Sequence, residues 1–198
     1  MKVLVAGSGG QLGRALAATA PAGVTLVAPP ETEFDIGNAE QVADVVAAAR
    51  PDLLINAAAW TAVDKAEAEE SAALLVNATA VGHLGAAAAE CGARFVQIST
   101  DYVFDGQACQ PYRPDTPPAP ASAYGRTKLA GEQAAAAHHP SPLIIRTAWV
   151  YAAQGNNFVR TMLRMMAERD AVRVVADQVG TPTHAASLAR ACLLYTSD

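Results

Sequence analysis

The chain has 198 residues, enough for one domain of ordinary size or one domain and part of a second. Apolar residues, alanine above all, make up 52% and charged residues 17%, which excludes a disordered chain and provides for a substantial core. The net charge of −5 comes with Lys and Arg unclustered, which excludes a nucleic-acid footprint.

Residues 2–6 (Lys-Val-Leu-Val-Ala) read as a short buried strand, and Gly7-Ser8-Gly9-Gly10-Gln11-Leu12-Gly13 follows directly. A helical pattern opens near Gln11 and runs to Ala20. Strand, glycine turn and helix in that order form the context of a dinucleotide phosphate site. Gly7 permits the turn, Gly10 lets the backbone approach a pyrophosphate, and Gly13 lets the helix pack on the strand. The helix N-terminus supplies N–H donors and partial positive charge for the anion.

Val24–Ala28 is the expected second strand. At its end, dinucleotide folds place an acid for a ribose 2′-hydroxyl or an Arg for a 2′-phosphate. Here the sequence reads Ala28-Pro29-Pro30-Glu31, with no Arg or Lys close by, which leaves NAD and NADP both open. Asp35-Ile36 follows, and Asn38 is positioned to cap a helix over residues 39–49 that Arg50-Pro51 ends. A third strand spans 52–56, and Ala57-Ala58-Ala59 keeps side chains small at its end. Residues 67–91 read as one long helix, with Asn77 out of place on a buried face.

Arg94–Ser99 is a further strand, and Ser99-Thr100-Asp101 sets hydroxyls at its carboxyl end, where parallel sheets bind ligands. A proline-rich irregular loop spans 107–123. The helix from about Ala123 to His138 carries Tyr124 and Lys128, followed by a strand at 143–147, a helix at 157–168 and a short last strand at 172–176. Alternating strands and helices imply an α/β fold with a Rossmann-like, doubly wound parallel sheet.

Tyr124 and Lys128 lie four residues apart, one turn above each other on a helix face. A free phenol titrates near 10, and a neighbouring ammonium is expected to bring it down into the range of a usable acid or base. The remaining features have plain readings. No apolar run approaches the length of a membrane span, and residues 1–6 do not resemble a signal peptide. Cys91, Cys109 and Cys192 show no metal or redox spacing, in keeping with a reducing, cytoplasmic setting. His83, His138, His139 and His184 are expected at the surface or at helix ends, and Met162, Met165 and Met166 as core filler. The acidic cluster of Asp64, Glu67, Glu69 and Glu70 is expected to be a solvated face, and no metal site is expected.

The chain resembles the extended short-chain dehydrogenase/reductases, and among them the dTDP-4-dehydrorhamnose reductase branch, over nearly every segment from Met1 to about Ala189. The glycine turn and Tyr-x-x-x-Lys are common to the superfamily. Ser99–Gly106 and Asp177–Thr183 are more specific to the branch, supported by Asn56–Glu67, Tyr124–Glu132, Arg146–Tyr151 and Asn156–Phe158. The resemblance implies a catalytic set of Thr100, Tyr124 and Lys128. It places Gly10, Gln11 and Leu12 on a cofactor diphosphate and Asp35-Ile36 near the adenine. Ala59, Trp60 and Thr61 would line the nicotinamide, with Tyr124 and Lys128 at its ribose. Thr100, Asp101 and Trp149 would meet a nucleotide sugar. Pro30 stands where relatives often have an acid, and Trp60 where they often have His.

The implied reaction is reduction by NADPH or NADH of the C4 ketone of dTDP-4-dehydro-L-rhamnose. A 4-epimerase of the same fold or a non-catalytic nucleotide-binding regulatory subunit are the alternatives; Tyr102 after Asp101, where dehydratases carry Glu, argues against dehydration. The resemblance divides the chain into a dinucleotide-binding domain at 1–150, with the last Rossmann elements and the start of an incomplete substrate lobe at 151–198. It reads the chain as a C-terminally truncated fragment expected to bind cofactor yet turn over poorly. A homodimer, with Mg²⁺ at its contact, is implied only for the full-length form. No membrane partner is expected.

Overall fold

The computed structural model describes residues 1–194. Five parallel strands form one sheet in the order β2-β1-β3-β4-β5: β1 Lys2–Ala6, β2 Thr25–Val27, β3 Leu53–Asn56, β4 Arg94–Thr100 and β5 Leu143–Thr147. The chain moves outward from β1 to β2, then crosses back over β1 to build β3, β4 and β5. Right-handed crossovers put the connecting helices on opposite faces when the direction of winding reverses.

Helix α1 (Gln11–Thr19) therefore covers one face, while α2 (Ala39–Ala49), α5 (Ala80–Glu90) and α6 (Ala123–His138) cover the other. Alternation along β1 sends Val3 and Val5 toward Leu12 and Leu16 of α1, and Leu4 and Ala6 toward Val42 and Val46 of α2 and Leu84 of α5. Burial on both faces explains the unbroken apolar run of β1. Each such Val or Leu contributes about 1.5–3 kcal/mol on leaving water. Asn38 caps α2 as its position implied, accepting the Gln41 N–H at 3.1 Å.

Several elements differ from the sequence expectation. Residues 67–91 form no single helix. Instead α3 (Val63–Ala68) ends at Glu69, α4 (Glu70–Leu74) begins anew, and a π-helical turn at Leu75–Thr79 precedes α5. That turn accounts for Asn77, which is 1% exposed and inward-facing. Its Oδ1 accepts the Trp60 N–H at 2.9 Å, and its Nδ2 donates to Trp60 O at 3.2 Å and Thr127 Oγ1 at 3.1 Å. Glu70–Glu90 is also long and apolar enough, by length and composition, to cross a bilayer, contrary to the expectation; over half of it is buried inside the fold, as a core helix would be.

No strand forms at 172–176, where Val174 and Val175 are exposed. The chain there instead pairs β6 (Val150–Tyr151) with β7 (Thr183–His184), two residues each and too short to leave a pattern. Helix α7 (Phe158–Glu168) buries none of its residues, so Met162, Met165 and Met166 are not core filler. His139 stands at a helix end as expected, the C-cap of α6, and is buried there, hydrogen-bonded through Nε2 to Ala93 O at 3.0 Å beside Phe95. Helix α8 (Ala185–Leu194), absent from the sequence reading, returns to the sheet and completes the α1 face with Leu188, Ala189, Cys192 and Leu193.

Candidate active site

The carboxyl ends of the strands gather the residues singled out from the sequence. Gly7 leaves β1 at φ +80°, and a Cβ there would stand 2.5 Å from Ala58 N, so the turn lies directly on the chain leaving β3. Gly13 faces back into the same turn, where an added Cβ would come 2.4 Å from Gly7 O. Between them Gly10 is the N-cap of α1 and provides no side-chain cap. Gly9 and Gly10 are exposed, and no other atom lies within 4 Å of the place a Gly9 Cβ would occupy. The α1 N-terminus thus presents backbone donors to open space, a fit for the diphosphate of a dinucleotide.

Thr100 closes β4 and Tyr124 opens α6, and both side chains are largely buried. Ser122 caps α6 by accepting the Gly125 N–H at 3.1 Å, and the Ala123 N–H donates to Glu67 Oε1 at 2.8 Å. Gly125 is required at this start, since a Cβ there would meet Tyr102 O at 2.1 Å. The Tyr124 phenol lies beside the Thr100 side chain, which acts to lower its pKa. Tyr102 packs edge-on against Tyr124, ring centroids 5.5 Å apart. Thr100 Oγ1 also donates to Asp101 Oδ1 at 3.1 Å and accepts the Tyr102 N–H at 3.2 Å.

Lys128 follows one turn later on α6, buried, its ammonium donating to Ile98 O at 2.8 Å. The electrostatics reverse one expectation. Burial pushes the Tyr124 phenol up to about 12, offset in part by the Thr100 side chain and reinforced by Asp101 and Tyr102. Lys128 does not bring it down, because its own ammonium is turned to the Ile98 carbonyl. Burial pushes Lys128 down to about 8, with the Glu132 carboxylate opposing. The phenol therefore keeps its proton across the neutral range, which suits a donor better than a base.

The RmlD substrate binding domain family model matches residues 1–197. The chain belongs to this family. It is 48% identical over 189 residues to a dTDP-4-dehydrorhamnose reductase from Burkholderia thailandensis, covering 96% of this chain and 63% of that protein. A dTDP-4-dehydrorhamnose reductase from Escherichia coli is 47% identical over 194 residues, with 96% and 64% covered. The chain thus spans somewhat under two thirds of the length of these relatives. Among solved structures, a Bacillus anthracis dTDP-4-dehydrorhamnose reductase in complex with NADP superposes with a TM-score of 0.95 at 40% identity, covering 99% of this chain and 71% of that one. A Clostridium acetobutylicum ortholog gives 0.94 at 44% identity, with 98% and 69% covered.

The other residues named from the sequence fall around the same sheet edge. Ala59, Trp60 and Thr61 follow β3, and Trp60 packs into the cluster that holds Tyr124, its main chain gripped by Asn77. Ile36 is buried near Ala58, while Asp35 turns outward to accept the Gly37 N–H at 2.9 Å. Leu12 is buried against the sheet, leaving its backbone for the turn. Gln11 is engaged sideways, with Oε1 accepting from Asn157 Nδ2 at 2.9 Å and Nε2 donating to Val150 O at 3.5 Å.

Trp149 is 47% exposed and adopts φ +48°, with Gly180 so near that a Cβ there would meet its indole at 2.6 Å. The acidic cluster is spent in local bonds: Glu70 pairs with Arg126, Glu69 with Lys65, and Glu67 with the α6 N-terminus. Two features escaped the sequence reading. Thr147, which pairs with Thr100 across β4 and β5, has a buried hydroxyl with no partner in the structure. Buried Glu132 pairs with half-buried Arg146 one turn beyond Lys128, each looking like an ordinary charged residue until the fold brings them together.

Proposed function

We propose that the chain forms the cofactor-binding and catalytic part of a reductase that converts dTDP-4-dehydro-L-rhamnose to dTDP-L-rhamnose. The observation that carries this reading is the juxtaposition of buried Thr100 at the end of β4 with Tyr124 and, one helical turn on, buried Lys128, at the carboxyl ends of the strands where the uncapped α1 N-terminus opens. Its identity of 47–48% to dTDP-4-dehydrorhamnose reductases supports the choice of substrate.

Gly7, Gly10, Gln11, Leu12 and Gly13 would hold the dinucleotide diphosphate, and Asp35-Ile36 would stand at the adenine. Ala59, Trp60 and Thr61 would flank the nicotinamide. When bound, reduced nicotinamide supplies hydride to the C4 carbonyl. Thr100 and Tyr124 donate to the carbonyl oxygen, and Tyr124 yields its proton as that oxygen becomes a hydroxyl. Lys128 would hold the cofactor ribose. Asp101 and Trp149 orient the sugar nucleotide. Residues from β6 through β7, which carry the exposed face of α7, begin the substrate lobe in this reading.

NADPH is the proposed cofactor, with NADH the alternative left by Pro30 and Glu31. A homodimer belongs to the proposal for the complete protein. So does a cytoplasmic setting, which free Cys91, Cys109 and Cys192 suit. The test adds dTDP-4-dehydro-L-rhamnose to the complete protein and follows consumption of NADPH and NADH in parallel. Ketone-dependent oxidation of either cofactor supports the reading. Tight, unconsumed NAD retained through gel filtration points to the epimerase instead, and binding without turnover to a regulatory subunit.

A further inference from the structure

Tyr102 is fixed to the site by its main chain and by one edge of its ring. Its N–H donates to Thr100 Oγ1 at 3.2 Å, within the 3-10 turn Asp101–Val103 that follows β4. Its carbonyl oxygen lies against the first turn of α6, where a Cβ at Gly125 would collide with it. Just after it Val103 is buried, and the Phe104 N–H closes the turn onto Asp101 O at 3.0 Å. The ring meets Tyr124 edge-on, at an interplanar angle of 76°. The rest of the ring is open: Tyr102 is 37% exposed beside Tyr124 at 9%.

A scattered exposed ring needs no explanation. This one borders the phenol assigned the proton, so a sugar that reaches the Tyr124 hydroxyl comes up against it. The two flanks are assigned to other groups. Ala59, Trp60 and Thr61 follow β3, on the side given to nicotinamide, and Trp149 follows β5, on the side given to the sugar nucleotide. Strand β4 lies between β3 and β5, which sets Tyr102 between those flanks.

An aromatic face is apolar and electron-rich, and it receives C–H groups in preference to hydroxyl oxygens. In the proposed ketone the C4 carbonyl lies between C3, which carries a hydroxyl, and C5, which carries the C6 methyl. The methyl is the neighbour such a ring suits. We infer that Tyr102 is a specificity-determining residue: its ring is the wall for the C6 methyl, so the site selects a 6-deoxy ketone over its 6-hydroxy counterpart. The inference rests on Thr100 and Tyr124 holding the C4 oxygen.

Two ketones tested on the complete protein decide it. With NADPH, the wild type and Tyr102→Phe should favour dTDP-4-dehydro-L-rhamnose over its 6-hydroxy counterpart, dTDP-4-dehydro-L-mannose, by about 10- to 100-fold in kcat/KM. Tyr102→Ala and the bulkier Tyr102→Gln should bring that ratio within a few-fold of one. Saturation-transfer NMR reads the contact without turnover. Irradiating protein aromatic protons should mark the C6 methyl of bound dTDP-L-rhamnose in the wild type and Tyr102→Phe, and much less in Tyr102→Ala and Tyr102→Gln. Variants that slow both ketones equally and keep the methyl signal make the ring a brace for Tyr124 and overturn the inference. Variants that keep the ratio and lose NADPH affinity place the ring on the cofactor, which also overturns it. Failure of the reductase reading looks different: the wild type then oxidises NADPH with neither ketone, and the methyl signal still shows whether Tyr102 meets the sugar.

Discussion

Gly7→Ala probes the contact that joins the first turn to the chain leaving β3. Gly7 stands at φ +80°, where an L side chain costs about 1–2 kcal/mol. Its new Cβ would come within 2.5 Å of Ala58 N and 2.7 Å of Ala57 C. Neither atom can retreat freely, since the Ala57 N–H donates to Ala6 O and the Ala58 N–H to Asn56 Oδ1, each at 3.0 Å. Overpacking such a contact adds about 1–3 kcal/mol, for a total of about 2–5 kcal/mol. That is a large share of the roughly 5–15 kcal/mol that holds a typical domain together. Urea unfolding followed by circular dichroism reads the loss directly. Gly9→Ala is the control, because nothing lies within 4 Å of its added Cβ, and it should cost no more than about 0.5 kcal/mol. Equal midpoints for the two variants would refute the reasoning.

Three further outcomes follow from the same geometry. Thr100→Val removes a hydroxyl that donates beside Tyr124 and should lower kcat about 100- to 1,000-fold, as the loss of one positioned donor does; steady-state kinetics check it. Lys128 titrates near 8 in the fold against 10.5 unfolded, so between those values the unfolded chain binds the extra proton and stability rises with pH. Tyr124, held up to about 12 from 10.0, acts oppositely above pH 10. Between pH 8 and 10 the wild type should therefore gain about 2 kcal/mol of unfolding free energy relative to Lys128→Met, while buried Cys192, held up to about 11 from 9.0, pulls both proteins the other way. Gly180→Ala must displace the Trp149 indole, which its Cβ would meet at 2.6 Å. It should raise KM for the sugar nucleotide several-fold and shift tryptophan emission while leaving cofactor affinity unchanged.

The sheet was legible because its central strands β1, β3 and β4 are buried on both faces and β1 ends in a glycine turn that admits no side chain at Gly7 or Gly13. The sequence order of β1, Gly7 and Gly13 already implied the backbone contacts now seen. The π turn around Asn77 was not legible, since an extra residue in a helix leaves no trace in an alanine-rich run without periodic contrast. Val172–Ala176 looked like a strand by composition, yet no edge receives it and Val174 and Val175 stay exposed. Helix α8 was missed because its buried stripe of Leu188, Cys192 and Leu193 is short and gains meaning only against α1. In the site, spacing placed Tyr124 over Lys128 but could not show which way the ammonium points. Burial and the Ile98 carbonyl decide that. Glu132 and Arg146 are fourteen positions apart in sequence, and their pairing depends on the register of β5 with β4.

The most direct test of the central claim compares Tyr124→Phe with the wild type, measuring ketone-dependent NADPH consumption and NADPH affinity on the same samples. If the Tyr124 hydroxyl gives its proton to the reduced carbonyl, turnover falls at least about a hundredfold while affinity stays within about twofold. Turnover within a few-fold of the wild type would contradict the account, whatever the cofactor affinity.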